Sequence, residues 1–185
     1  ESFFRPFTQA EKDAVGIGNF KPILGYSHNT TGRIRVVLWN ATGWALVSNP
    51  ANGNKFENFT VENKTAAGLP GNFVPITGYR TSIYGYETVE LWNASGSWWR
   101  WNNSQAKFIN VSSEKASKNL NGFIPIVGYS HLINGPGKEI IGLWNSAGNA
   151  KALEQGQTQF IDYTEDNKED DGLPRNFKPI LGYTS

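Results

Sequence analysis

Short apolar runs, separated by Gly, Asn and Pro, follow one another along the whole chain. Runs of this length, rich in aromatic and β-branched residues and bounded by turn residues, are typical of short β-strands. The polar stretches between them show no helical periodicity longer than about one or two turns. The pattern of hydrophobic and polar positions therefore predicts an all-β protein.

These runs belong to a repeat of about 52 residues. Its first landmark is a phenylalanine at intervals of 52 residues, at Phe4, Phe56, Phe108 and Phe160. The second is NFKPILGY or a variant of it, at residues 19–26, 72–79, 122–129 and 176–183. The third is a strand ending in LWN with its turn, at residues 36–43, 89–96 and 141–148. The units are approximately 4–55, 56–107, 108–159 and a half unit 160–185 within one repeat domain.

Each full unit is expected to contain four short antiparallel strands. In chain order they are FxxFT, PIxGY, VxLWN and the segment after the turn, and NATG, NASG and NSAG supply the Asn and Gly of a tight turn. Prolines recur at the start of the second segment, at Pro22, Pro75, Pro125 and Pro179. Because proline cannot donate to a ladder, these positions are expected at strand starts, edges or bulges. The connectors between the first and second segments are expected to be exposed loops with a short 3₁₀ or α turn.

Four strands in about 52 residues predict a propeller-like fold, with a β-trefoil as the alternative. The first two segments occur four times and the last two only three times. The surplus pair at residues 160–183 therefore indicates either a piece of a longer array or a hairpin that packs on a neighbouring molecule. The second interpretation predicts head-to-tail contacts between copies.

Composition excludes several classes of partner. The net charge is +1, from 17 basic and 16 acidic residues, so no concentrated basic face is available for nucleic acid or an anionic membrane. No apolar run approaches the roughly 20 residues of a membrane span, so membrane insertion is not expected. Cysteine is absent, which excludes disulfides and thiolate metal ligands.

Seven N-x-S/T sequons indicate a secreted, N-glycosylated protein. Their asparagines are Asn29, Asn40, Asn58, Asn63, Asn93, Asn102 and Asn110. Asn40 and Asn93 fall on the same turn of successive units, whereas Asn145 occupies that turn in the third unit without a sequon. Methionine is also absent, which suits oxidising surroundings.

Catalytic and metal-binding patterns are weak. The only histidines, His28 and His131, both follow the PIxGY segment, where they are expected to be variable loop residues. The acidic stretch 165–171 predicts a solvated loop, with a loose calcium site as the alternative. Glu90 and Glu139 lie near the third segment at non-equivalent positions, too little to indicate a glycosidase pair. We therefore expect no enzyme activity, metal or cofactor.

Aromatic residues give the better functional signal. Tryptophans and tyrosines that recur in every unit are expected in the core, at Trp39, Trp92, Trp144, Tyr26, Tyr79, Tyr129 and Tyr183. The second unit has an aromatic group of its own, formed by Trp98, Trp99, Arg100, Trp101, Tyr84 and Tyr86. Both faces of this strand carry large side chains. The group predicts a sugar site, a subunit interface or additional core, and the sequence leaves these three open.

Residues 22–47, PILGYS…GRIRVVLWN-ATG-WALV, resemble a blade of the fungal and bacterial fucose-binding propeller lectins. In that family an Arg, a Glu and an aromatic residue of each blade hold the sugar. The matching arginine occurs once here, at Arg35, with Thr88 and Ile140 at its equivalents, and no equivalent glutamate follows the turn. The resemblance implies blades rather than fucose specificity.

The sequence therefore leaves two alternative functions open. The first is an extracellular, multivalent, non-catalytic carbohydrate-binding protein of lectin type. The second is a structural, self-assembling extracellular glycoprotein, a filament or coat subunit that uses the surplus terminal hairpin. Either implies glycans or copies of the chain itself as partners and a homo-oligomeric state.

Overall fold

The computed structural model describes residues 5–30, 33–132 and 138–180 and contains three four-stranded antiparallel sheets. Each sheet is a meander whose strands pair in chain order. Helical segments are short and lie before, between and after the sheets, with one 3₁₀ turn between the last two strands of the first sheet. The prediction of an all-β fold is confirmed.

The twelve strands divide evenly among the sheets. Sheet 1 contains β1 (Leu24–Thr30), β2 (Arg33–Trp39), β3 (Ala45–Asn49) and β4 (Lys55–Phe59). Sheet 2 contains β5 (Pro75–Thr81), β6 (Thr88–Asn93), β7 (Trp98–Asn102) and β8 (Lys107–Asn110). Sheet 3 contains β9 (Pro125–Leu132), β10 (Glu139–Asn145), β11 (Ala150–Glu154) and β12 (Ile161–Tyr163).

The helices are α1 (Gln9–Ala14), α2 (Val61–Ala66) and α3 (Glu165–Asp170), with 3₁₀ turns at Pro50–Asn52 and Ser112–Lys115. Each α-helix begins at a threonine whose hydroxyl accepts a backbone N–H, in a capping box with the residue three positions on. None of the helices among the described residues is long and apolar enough to cross a membrane. The expected short helical turns in the connectors are confirmed.

The predicted LWN turns are also confirmed. Asn40 donates its backbone N–H to Trp44 and accepts one from Gly43, whose φ of +79° favours glycine. The Asn40 side-chain oxygen accepts the N–H groups of Thr42 and Trp44 as well. Asn93 and Asn145 make the corresponding bonds in sheets 2 and 3. Asparagine is therefore required at this position by the turn itself.

The structure corrects the grouping of the first two segments. The FxxFT segment is not paired with the PIxGY strand that follows it, because a helical linker separates the two and carries the chain to the next sheet. It forms the outer strand of the preceding sheet instead, as β12 does when it pairs with β11. The expected hairpin at residues 160–183 is therefore wrong for its first strand; residues 181–183 lie outside the described ranges.

A lysine in each helical segment that follows a sheet fastens that segment to the sheet. The ammonium groups of Lys64, Lys115 and Lys168 donate to the carbonyls of Gly43, Gly96 and Gly148 at 2.6, 3.0 and 3.1 Å, respectively. Lys64 and Lys168 also lie 5.1 and 5.2 Å above the rings of Trp39 and Trp144. Trp39 and Trp144 are thus buried beneath a lysine that also bonds the turn, whereas Trp92 stacks on Trp98.

Two large apolar cores fill the spaces between neighbouring sheets. One joins Trp39 of sheet 1 to Leu91 and Trp101 of sheet 2, and the other joins Trp92 of sheet 2 to Leu143 of sheet 3. The first strands of the sheets contact one another in series, β1 with β5 and β5 with β9. Sheet 2 is consequently covered on both faces.

Sheet 1 leaves one face uncovered by any sheet. Val36 is 39% exposed, whereas the residues at the same position in sheets 2 and 3, Val89 and Ile141, are 1% and 0% exposed. The difference arises because a preceding sheet packs on Val89 and Ile141, and none in the described residues packs on Val36.

Candidate functional site

The predicted aromatic group of the second unit lies largely in the interior. Trp98 is fully buried and stacks on Trp92, with ring centroids 4.9 Å apart and planes 9° from parallel. Trp101 is buried on the opposite face, and Trp99 packs edge-on against Phe73 of the preceding linker at 5.8 Å. Exposure of these three rings was one open interpretation, and it fails because sheet 2 is covered on both sides.

Arg100 anchors a buried network of charges on the same strand. It is the cross-strand partner of Glu90, which is fully buried, and its Nε donates to the Glu90 carboxylate at 2.7 Å. The rest of the guanidinium bonds Glu114 at 3.0 Å and the Tyr84 hydroxyl at 3.1 Å. Tyr79 and Tyr84 both donate to Glu90. All donors of this cluster point at protein groups.

Burial and charge set the protonation of the network. Burial alone would lower the pKa of Arg100, but the Glu90 carboxylate and Tyr84 hold that pKa above its ordinary value. Burial, together with the charge of Glu90, raises the pKa values of the Tyr79 and Tyr84 phenols. Arg100 therefore stays positively charged, and Tyr79 and Tyr84 stay protonated, across the physiological pH range.

Tyr86 is the member of the predicted group that reaches solvent. Its side chain is 47% exposed, and its ring lies 6.2 Å from that of half-buried Tyr84. Behind this pair, Arg100 lies 4.4 Å below the Tyr84 ring, and each of its three side-chain nitrogens already donates to a protein group. The structure thus offers one exposed ring here, without free polar groups directly behind it.

Glu139 is held by hydroxyl and amide donors from sheets 2 and 3. It accepts the hydroxyls of Thr81 at 2.7 Å, Ser82 at 2.6 Å and Ser130 at 2.7 Å, and the backbone N–H of Ser82 at 2.9 Å. Burial raises the pKa of this carboxyl, but the bonds from Ser82 and Ser130 outweigh burial and leave the pKa lowered. Glu139 therefore ties the end of β5 to β10.

His28 is a buried strand residue, which corrects its assignment to a loop. It lies in β1, and its ring meets Trp101 edge-on at 4.3 Å and Phe108 at 5.7 Å. Burial, with a smaller contribution from the charge of Arg35, lowers the pKa of His28 to about 4. His131, at the equivalent position of β9, is half-buried beside Tyr129.

We expect His28 to make the fold less stable in mild acid. The pKa of His28 is about 4 in the folded protein and about 6.5 in the unfolded chain. As pH falls from 6.5 towards 4, the unfolded chain binds a proton that the folded protein does not, and the free energy of unfolding decreases. Between pH 7 and pH 5 the free energy of unfolding should fall by about 2 kcal/mol more in this protein than in His28→Thr, which carries the residue found at Thr81. Urea titrations at both pH values measure the difference, and carboxylate effects common to both proteins cancel. Equal pH dependence would contradict the assignment.

The acidic stretch forms helix α3 rather than a loop. Arg175 pairs with Glu165 at 3.2 Å, Asp166 at 3.1 Å and Glu169 at 2.7 Å. Across residues 5–30, 33–132 and 138–180, no three histidine or acidic side chains are grouped as metal ligands.

Several sequon asparagines have structural partners that explain them without a glycan. Asn63 completes the capping box of α2 as Asn167, outside any sequon, does for α3. The turn bonds of Asn40 and Asn93 are likewise repeated by Asn145. Glycosylation and secretion remain predictions; for Asn29, the sequon's Thr31 lies outside the described residues.

Trp44 is a candidate site residue that the sequence reasoning passed over. It follows the sheet 1 turn directly and is 51% exposed, although its Nε1–H donates to the side-chain oxygen of Asn58 at 3.0 Å. Phe20 meets the indole at 5.4 Å and 81°. The equivalent residues are Ser97 and Asn149, and this variation between copies is the signal that marks an exposed position.

A cleft of about 510 Å³ opens beside Trp44 between the sheet 1 turn and the linker to sheet 2. We call it cleft A. Its polar groups come from Thr42, Asn58, Thr60 and Asn72, and its apolar wall is built from Phe59, Val61, Phe73 and Val74. Lys64 is its only charged lining residue. Cleft A therefore has an exposed indole, amide and hydroxyl groups beside that indole, and an apolar wall.

Comparison with protein-family models, curated proteins and solved structures found no match. The resemblance to fucose-binding lectins therefore stays a prediction drawn from residues 22–47.

Proposed function

We propose that this chain is a non-catalytic carbohydrate-binding protein whose principal site is cleft A. The observation that carries the proposal is the half-exposed indole of Trp44, fixed by its bond to Asn58 at the mouth of a cleft with amide and hydroxyl groups. An aromatic ring that is exposed in a concave site beside polar groups provides an apolar face on which a ligand can pack.

The chemistry of cleft A suits a sugar. The apolar face of a pyranose, formed by its C–H groups, packs on an aromatic ring, while its hydroxyls need donors and acceptors around the ring. Asn72 offers both kinds of group from an amide, whereas the Thr42 and Thr60 hydroxyls already donate to Asn40 and Asn63 and can only accept further hydrogen bonds. Pockets for small ligands combine an apolar lining with a few placed polar groups in the same way.

The finer architecture that we propose is a propeller-like array. Successive four-stranded meanders with neighbouring first strands support this arrangement over a β-trefoil. In such an array Trp44 has no counterpart, because Ser97 and Asn149 take its place, so the proposed site occurs once in the described chain. Tyr86, in the connection between β5 and β6, is exposed but lies outside cleft A, and an extracellular location is proposed on the seven sequons.

Replacement of Trp44 with alanine is expected to abolish or weaken glycan binding at least tenfold, because the ring supplies most of the apolar contact. Binding is measured on a glycan array and then by calorimetry with the strongest ligand. Trp44 is half-exposed, so the variant should keep its fold, which circular dichroism and urea unfolding verify. Tyr86→Ala is the matched control, an exposed aromatic residue outside cleft A, and should retain binding.

Equal glycan binding by the parent protein and Trp44→Ala would contradict the assignment of the binding site to cleft A. Loss of glycan binding in Tyr86→Ala alone would place the binding site at the β5–β6 connection of sheet 2 instead. Absence of binding to every glycan would contradict the function. Self-assembly is the rival proposal, and sedimentation velocity of the same samples reports it. The contacts give it less support, since the three LWN turns are already capped by the chain's own lysines.

A further inference from the structure

Trp44 lines two clefts rather than one. The second cleft, of about 440 Å³, which we call cleft B, is lined by Trp44 together with residues of the segment that precedes sheet 1. These include Asp13, Ile17, Asn19 and Phe20. Trp44 is the one residue that lines both clefts. Each volume lies within the range of about 300–1,000 Å³ that is common for small-ligand pockets.

From this arrangement we infer that the ligand is a neutral oligosaccharide of at least two sugar units, lying across the indole with one unit in each cleft. The inference rests on the proposed function and specifies its ligand. A single sugar can fill only one cleft and leaves the other cleft in water. A chain fills both and covers more of the exposed ring.

The charges in the clefts favour a neutral chain. Each cleft has one charged lining residue, Lys64 in cleft A and Asp13 in cleft B. Both are bonded within the protein, since Lys64 donates to the Gly43 carbonyl and Asp13 accepts the side-chain amide of Gln9 at 2.8 Å. An ionic sugar would have to compete with these bonds, whereas hydroxyl and acetamido groups can use the exposed amides of Asn72 and Asn19.

The two clefts also make separable contributions. Asn72 lines cleft A only, and Asn19 lines cleft B only. Both are exposed, so alanine substitutions at these positions leave the cores untouched. If the ligand occupies both clefts, each substitution should lower the affinity for an oligosaccharide. The affinity for a monosaccharide should be lowered by one of the two substitutions at most.

The test is calorimetry with three neutral series of increasing length: glucose to cellotetraose, glucose to maltotetraose, and N-acetylglucosamine to chitotetraose. In the series that binds, affinity should rise at least fivefold from the monosaccharide to the trisaccharide, because the second unit adds a further aromatic contact. Trp44→Ala should remove this gain. Asn72→Ala and Asn19→Ala should each weaken the trisaccharide, and only one of them should weaken the monosaccharide.

A monosaccharide that binds as tightly as its trisaccharide, with Trp44 still required, would overturn the inference and leave the proposed function intact. If a glucuronate-containing disaccharide binds more tightly than the neutral sugars, and its binding weakens with added salt, the inference that the ligand is neutral is wrong. Absence of binding both to these series and to the glycan array would overturn the proposed function itself, so the two failures are distinguishable.

Discussion

Replacement of Arg100 with valine is expected to lower the free energy of unfolding by about 3–5 kcal/mol. The change leaves the Glu90 carboxylate, which is fully buried, without the cation that lies 2.7 Å from it. An unpaired charge in the interior is far more costly than the pair is stabilising, since the desolvation of Glu90 remains while its partner is gone. Urea unfolding followed by tryptophan fluorescence measures the loss.

The chain itself supplies the control for this experiment. At the cross-strand pair equivalent to Glu90 and Arg100, sheet 1 has Val37 and Val47. Changing both residues of sheet 2 to valine removes the charges together, and the double variant should be at least about 1 kcal/mol more stable than Arg100→Val. Tyr79 would lose its acceptor, although in sheet 1 the equivalent Tyr26 accepts an indole N–H from Trp39 at 3.1 Å. A double variant no more stable than Arg100→Val would contradict this account.

Gly68→Ala is expected to destabilise the protein by about 3 kcal/mol or more. Gly68 has a φ of +84°, which costs a residue with a side chain about 1–2 kcal/mol. In addition, an added Cβ would lie 2.4 Å from the backbone oxygen of Phe108, and backbone at that distance cannot move aside without opening the contact between the linker and β8. Thermal and urea unfolding both report the loss.

Gly172→Ala separates the two causes. Gly172 follows α3 as Gly68 follows α2, and its φ of +78° is nearly the same, but no atom lies within 4 Å of the position its Cβ would take. This variant should lose only the conformational part, about 1–2 kcal/mol. If both glycine variants lose the same stability, the close approach to Phe108 is not what requires glycine at Gly68.

Much of the local structure could be predicted because it repeats. The LWN turns, the buried Trp39, Trp92 and Trp144, and the strand-starting Pro75 and Pro125 all depend on short-range rules of backbone geometry and burial that act alike in every unit. A residue type that recurs at one position in every unit indicates a structural requirement there, and the local chemistry of that residue type indicates whether the requirement is a turn, a strand start or a buried site.

The relations between sheets could not be obtained in this way. A repeat has no intrinsic starting point, so the sequence alone did not show that the FxxFT segment closes a sheet rather than opening one. For the same reason Trp98 was left open and His28 was wrongly expected in a loop, since their burial depends on a neighbouring sheet that differs from unit to unit. Trp44 was detectable as a position that varies between copies, but the two clefts that it lines are formed with segments distant in sequence.

The two linkers that join neighbouring sheets are each bonded both to the sheet before and to the sheet after. Lys64 holds the sheet 1 turn, and a few residues later the Ala67 carbonyl accepts the N–H of Phe108 at the start of the sheet 2 outer strand. Sheet 2 has such a linker at both junctions, whereas sheets 1 and 3 each share a junction with only one other sheet. Opening of either end sheet therefore breaks one junction, but exposure of the amides of sheet 2 breaks two. Hydrogen exchange in the native protein should accordingly be slowest in the central sheet, and the buried ion pair lies within this most protected part of the chain.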